Sequence, residues 1–67
     1  MISVTLNGES RTLGGEMALP DLLASLSIDT RRVAVAVNGE VIPKREHAGV
    51  TIRDDDRVEI VRMVGGG

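Results

Sequence analysis

A chain of 67 residues with formal net charge −2, one histidine, and no cysteine, phenylalanine, tyrosine or tryptophan makes one domain held by aliphatic packing, and a domain near this size buries only ~60% of its unfolded surface. Without thiols there is no disulfide, thiolate nucleophile or zinc–thiolate site, and His47 alone cannot build a histidine metal cluster. Interspersed charges without a basic face or stacking aromatics exclude nucleic acid, and no apolar run nears the ~20 residues of a membrane span, so the expectation is a cytoplasmic protein without nucleic-acid or membrane partners.

In chain order, Met1 to Leu6 alternates, with Ile2, Val4 and Leu6 on one side and Ser3 and Thr5 on the other, which predicts a half-buried strand. Asn7-Gly8 favours a tight turn with positive φ at both positions, so Glu9 to Leu13 is the returning strand. After Gly14-Gly15, Leu19, Leu22, Leu23 and Leu26 fall at i, i+3, i+4 and i+7, one face of a short helix. Pro20 suits its first position, Asp21 suits its positive end, and Leu19 is read as a poor cap. Ser27 to Arg32 leads out.

Val33 to Val37 is apolar on both faces, with Val33, Val35 and Val37 opposed to Ala34 and Ala36, and reads as a central strand. Asn38-Gly39 turns it into a short strand, Glu40 to Ile42, which Pro43 ends. Lys44 to Ala48 is read as one helical or 3₁₀ turn, Val50 to Arg53 as a short extended piece, Asp54-Asp55-Asp56 as a turn and Arg57 to Val64 as the last strand. The expected core is Ile2, Val4, Leu6, Leu22, Leu23, Leu26, Val33, Val35, Val58 and Ile60. Two hairpins flanking one helix predict an α+β architecture, a mixed four- to five-strand sheet covered on one face. The first and last strands then lie parallel at its centre, the layout of the ubiquitin-like β-grasp fold.

The end of the chain differs in kind. Gly65, Gly66 and Gly67 carry no side chains and lose the most backbone entropy if fixed. The expectation is a domain over 1–64 and a flexible glycine tail over 65–67, reaching roughly 17 Å from Met63. Such a tail presents a bare carboxylate; a frayed end or a cloning remnant gives the same pattern.

Other chemistry-bearing groups read blandly. Asp54, Asp55 and Asp56 lack the spaced ligands and distal glutamate of a calcium loop. Glu46-His47 is expected on a surface turn, Gly14-Gly15 is followed by no phosphate-loop pattern, and Arg31, Arg32 and Arg45 are expected to be solvated charges and not an anion site, while staying candidates for contacts with partner acids.

The whole chain resembles the sulfur carrier proteins of thiamine biosynthesis, a bacterial ubiquitin-like family. The resemblance is carried by VAVAVNGEVIPKREHA from Val33 to Ala48, by DRVEIVRMVGGG from Asp56 to Gly67, and by the glycine end. The chain departs from the family at Asp55, where a glycine is common, and in the missing Ser/Thr cap of the helix. The resemblance implies a carrier and not an enzyme, with no cofactor of its own. An E1-like adenylating enzyme spends ATP on the carboxylate of Gly67, a sulfur donor system converts the adenylate to a thiocarboxylate, and a thiazole synthase takes the sulfur. Gly65, Gly66 and Gly67 thread the partner's active site, where a Cβ would clash. The small subunit of molybdopterin synthase shares the fold and the glycine end and stays open as an alternative. So does a ubiquitin-like modifier or interaction module, for which Lys44, the only lysine, offers one site for self-chains.

With Val58 and Ile60 facing the core, Val61 and Met63 are expected outward, beside the small Ala34 and Ala36. These four make an expected partner-binding patch, rimmed by Arg57 and Arg62.

Overall fold

The structure is a computed structural model and describes residues 1–63. Its strands are β1 (Ile2–Leu6), β2 (Glu9–Leu13), β3 (Met17–Ala18), β4 (Val33–Val37), β5 (Glu40–Ile42), β6 (Thr51–Ile52) and β7 (Arg57–Arg62), with one α-helix, α1 (Leu19–Ser25), and 3₁₀ turns at Thr30–Arg32 and Lys44–Gly49. Five strands form one mixed sheet in the order β2-β1-β7-β4-β5, and β1 and β7 run parallel at its heart. This is the expected β-grasp layout. The expected glycine tail, Gly65 to Gly67, lies outside the described residues, as does Val64, the expected end of the last strand.

Both hairpins form on the predicted pairs, with φ of 49° and 84° at Asn7 and Gly8 and 52° and 85° at Asn38 and Gly39. Asparagine tolerates this left-handed region better than most residues and glycine adopts it without penalty, so each pair turns the chain in two residues and fixes the register. The register puts Leu6 opposite Glu9 and Val37 opposite Glu40.

The core is aliphatic: Val4, Leu6, Leu19, Leu22, Leu23, Val35, Ile52 and Val58 are buried. Ile2, Leu26, Val33 and Ile60, expected inside, are partly buried against it. Leu19 and Ile52 were not among the expected core residues, yet each is fully buried. Two short elements account for both. Met17–Ala18 and Thr51–Ile52 pair as a second, two-stranded sheet, which periodicity misses because two residues carry no period. That pairing shifts the helix start: Ala18 is the N-cap, and Leu19 is the first helical residue and not the cap. No side chain caps this end, but the Leu19 amide donates to the Val50 carbonyl at 2.9 Å, so tertiary structure supplies what the sequence lacks.

The other helix end stops without glycine. Ser27 sits at φ 56°, its amide donates to the Ala24 carbonyl, and the Ile28 amide donates to the Leu23 carbonyl. This double bond pattern is a Schellman stop, with serine in the left-handed position. His47 also departs from expectation. It is buried at 6% exposure and not on a surface turn, and its Nε2 lies 3.2 Å from the Ile42 carbonyl. The 3₁₀ turn over Lys44–Gly49 packs on the helix and folds this ring inward, where the carbonyl satisfies it.

A core this small supplies ~3–5 kcal/mol. Leu23→Ala is therefore expected to cost ~2–5 kcal/mol and to leave much of the population unfolded at room temperature, read as a collapse of the urea midpoint.

Candidate functional site

The candidate site is the outward end of β7 and the sheet face beside it. β7 is the middle strand, and each neighbour strand is reinforced by a turn asparagine. On one edge the Asn7 amide group faces Ile60: the Ile60 amide donates to Asn7 Oδ1 at 2.7 Å, and Asn7 Nδ2 donates to the Ile60 carbonyl at 3.2 Å. The side chain thus stands where the next residue of β1 would have been. On the other edge the Arg57 amide donates to Asn38 Oδ1 at 2.9 Å, while Asn38 Nδ2 donates to Asp56 Oδ1 at 3.0 Å. Both asparagines therefore do two things, turning a hairpin and gripping the last strand.

The acidic turn before β7 belongs to the same grip. The Ser3 amide donates to Asp54 Oδ1 at 2.7 Å, the Asp55 amide donates to the Ser3 carbonyl at 2.7 Å, and the Arg53 amide donates to Asp56 Oδ2 at 2.8 Å. The carboxylates of Asp54 and Asp56 are occupied in bracing main chain. Asp55 takes φ 72°, the conformation in which glycine is least strained.

On the sheet face opposite the helix, Ala34 lies directly across from Val61 and Ala36 from Glu59. Val61 is 63% exposed and Met63 55%, Ala34 and Ala36 are partly covered, and Met63, beyond the end of β7, also lines the cleft on the helix side. The patch extends further than expected, because Val41 lies across from Ala36 and is 68% exposed. The signal was present: a two-residue turn at Asn38-Gly39 fixes Val41 opposite Ala36 and on the same face. The two arginines separate. Arg57 shares the outer face but sits at the far end of β7, across from the Asn38 turn. Arg62 follows Val58 and Ile60 in the alternation and lies on the helix side, so it does not rim the patch; it lines a cleft with Leu26, Ile28 and Ile60. Beyond the strand the Met63 amide donates to the Arg32 carbonyl at 2.8 Å.

Near the cleft, Asp29 accepts from the Arg31 amide and guanidinium, and this hydrogen bonding from Arg31 holds its carboxyl below the ordinary aspartate value. Asp29 also lies 3.6 Å from Arg32.

Residues 4–67 match the ThiS family. The chain belongs to that family. It is 38% identical over 64 residues to the sulfur carrier protein ThiS of Thermus thermophilus, covering 96% of this chain and 98% of that protein. The crystal structure of the thiamine biosynthesis protein ThiS from Geobacter metallireducens superposes with a TM-score of 0.89 at 32% identity, covering 98% of this chain and all of that one. A thiazole synthase of Paramagnetospirillum magneticum is 41% identical over 66 residues, covering 98% of this chain. The chain spans only 20% of that relative's length.

Asn7→Gly separates the two tasks of the turn asparagine. Glycine suits the φ at this position, so a role in turning alone predicts no loss. Removal of the bonds to Ile60 is expected to cost about 1–2 kcal/mol and to speed hydrogen exchange at the Ile60 amide, with the exchange rate as the decisive measurement.

Proposed function

We propose that this chain is a sulfur carrier for thiazole formation in thiamine biosynthesis, a substrate of partner enzymes and not itself a catalyst. The observation that carries the proposal is the family match running unbroken through the glycine end to Gly67. The central strand that leads toward those glycines, gripped on both edges, supports it.

The chemistry asks little of the carrier's side chains. A carboxylate is a resonance-stabilised anion and a poor electrophile. An E1-like enzyme joins the carboxylate of Gly67 to the α-phosphorus of ATP, releasing pyrophosphate. Sulfide delivered by a donor system then attacks the acyl carbon, and AMP leaves. The resulting thiocarboxylate holds soft, nucleophilic sulfur on a chain that has no cysteine. Gly65, Gly66 and Gly67 form the tail beyond the 1–64 domain and thread the partner's channel, which any Cβ would narrow.

The acceptor proposed is a thiazole synthase. A relative that bears that name and contains a segment like this chain within a longer polypeptide supports the pairing, since such an arrangement holds carrier and acceptor together. The docking surface proposed is the outer face: Val61, Met63, Ala34 and Ala36, extended by Val41. Exposed aliphatics grouped on a small protein are the ordinary mark of a binding face, and methionine adapts to more than one partner. Arg57, at the end of that face, contributes to association rate more than to affinity.

The test is the intact mass after incubation with ATP, a cognate activating enzyme and a sulfur source. Exchange of one oxygen for sulfur supports a carrier; a stable adduct to lysines of other proteins supports a modifier and overturns the proposal. Gly66→Val is expected to abolish the exchange without moving the thermal midpoint. Val61→Asp and Met63→Asp are expected to fold normally and to slow activation by at least about tenfold, equivalent to ~1.4 kcal/mol of lost docking. Intact activation in both would leave recognition to the glycines alone.

A further inference from the structure

The two edges of β7 end at different places. Main-chain groups of Arg57 and Met63 turn toward β4, where Arg57 accepts from the Asn38 amide and Met63 donates to the Arg32 carbonyl. Those of Val58 and Ile60 turn toward β1, where Val58 accepts from the Asn7 amide and Ile60 exchanges two bonds with the Asn7 side chain. The same alternation aims the amide and carbonyl of Arg62 at the β1 edge. β1 has already turned away at Asn7-Gly8, and no strand lies there among the described residues.

A cleft of about 540 Å³ opens at this vacancy. Its floor is apolar, from the half-buried Leu26, Ile28, Val33 and Ile60. Its rim carries Arg32 and Arg62, with Asp29 already engaged by Arg31 and Arg32. Two lining arginines, Arg32 and Arg62, against one aspartate leave the rim positive. An unpaired strand edge, an apolar floor and a cationic rim meet at one spot.

We propose that this cleft receives an extended segment of a partner protein, added to the sheet as a short strand beside Arg62. The segment carries an acidic and an aliphatic residue two positions apart. That spacing places both on the helix side, the acid against Arg62 and Arg32 and the aliphatic residue over Leu26 and Ile28, because Asn7 already fills the edge at Ile60. The Arg62 amide and carbonyl supply the main-chain bonds. This contact shares Met63 with the outer face but uses the strand edge at Arg62, and it is independent of the glycine chemistry, so its failure leaves the sulfur-carrier proposal standing.

The probe is a capped heptapeptide, Thr-Asp-Thr-Ile-Thr-Asp-Thr, whose symmetry allows either strand direction. Titrated into the ¹⁵N-labelled chain, it is expected to give saturable amide shifts at Ile28, Ile60 and Arg62. Arg62→Glu, an exposed position, is expected to fold normally and weaken binding roughly tenfold. Replacing both aspartates of the peptide by lysines, or N-methylating the amides of both aspartates and of the threonines that follow them, is expected to abolish the shifts. The proposal is overturned by absence of saturable shifts at these residues, by shifts confined to Val41 and Val61, or by indifference to Arg62→Glu. Binding that survives N-methylation also overturns it, since the contact is then electrostatic and not a strand.

Discussion

The structure depends on holding its last strand in the middle of the sheet. A strand that arrives last and lies between the first strand and the β4 hairpin is joined to them only by long-range contacts, and loop-closure entropy opposes each. The chain answers with side chains that bond main chain. Asn7 takes both polar groups of Ile60, Asn38 takes the Arg57 amide, and Asp54 and Asp56 brace the turn that feeds the strand. Most of these link residues at least eighteen positions apart, which places them among the contacts that decide topology and not among those that merely decorate turns.

That arrangement leaves the described residues with one α-helix over the five-stranded sheet, and a single helix covers a single face. The result is a division of labour by alternation. On β7, Val58 and Ile60 serve the core while Glu59 and Val61 face outward; on β4, Val35 serves the core while Ala34 and Ala36 face outward. A longer chain could cover the second face with another layer. At this length the uncovered side is either polar, as on β2, or available, as across β5, β4 and the end of β7. Smallness and an uncovered face are thus one constraint seen twice.

How legible this was depends on whether a signal is local. Asn-Gly pairs, the leucine spacing and the Val-Ala alternation act within a few residues, so both hairpins, the helix and the sheet order could be read from the sequence. Ile52 could not, because the strand pair that holds it has two residues on each side and no period to detect, while Leu19 lies on the readable leucine face and misses the expected core only because the cap reading sets it outside the helix. His47 looked like surface because its neighbours Glu46 and Lys44 are polar, and only the packing of the 3₁₀ turn on the helix turns the ring inward. Arg62 was assigned to the outer patch although the period that placed Val61 outward already placed Arg62 opposite. Val41 was missed although the turn fixed its register. Those two were failures to carry a readable rule one residue further. The grip of Asn7 and Asn38 on β7 is of another kind, since no local pattern says where a turn side chain will find its partner.

The grip also sets where support ends. Among the described residues, pairing on the β4 side reaches Met63 through the Arg32 carbonyl, and on the β1 side it reaches Ile60 through Asn7. Between these points β7 is held by one edge only. A strand paired on both sides resists bending about its length, while one paired on a single side can yield toward its open edge without breaking the ladder that remains. Asn7 marks the change. Continuing β1 in register by four residues past Leu6 would fill the open edge at Arg62 and close the cleft; loss of Asn7 would free Ile60 and weaken the core face of β7. An asparagine at the turn meets both requirements, because its amide completes the ladder for one residue while its backbone, at positive φ, carries the chain away from the next.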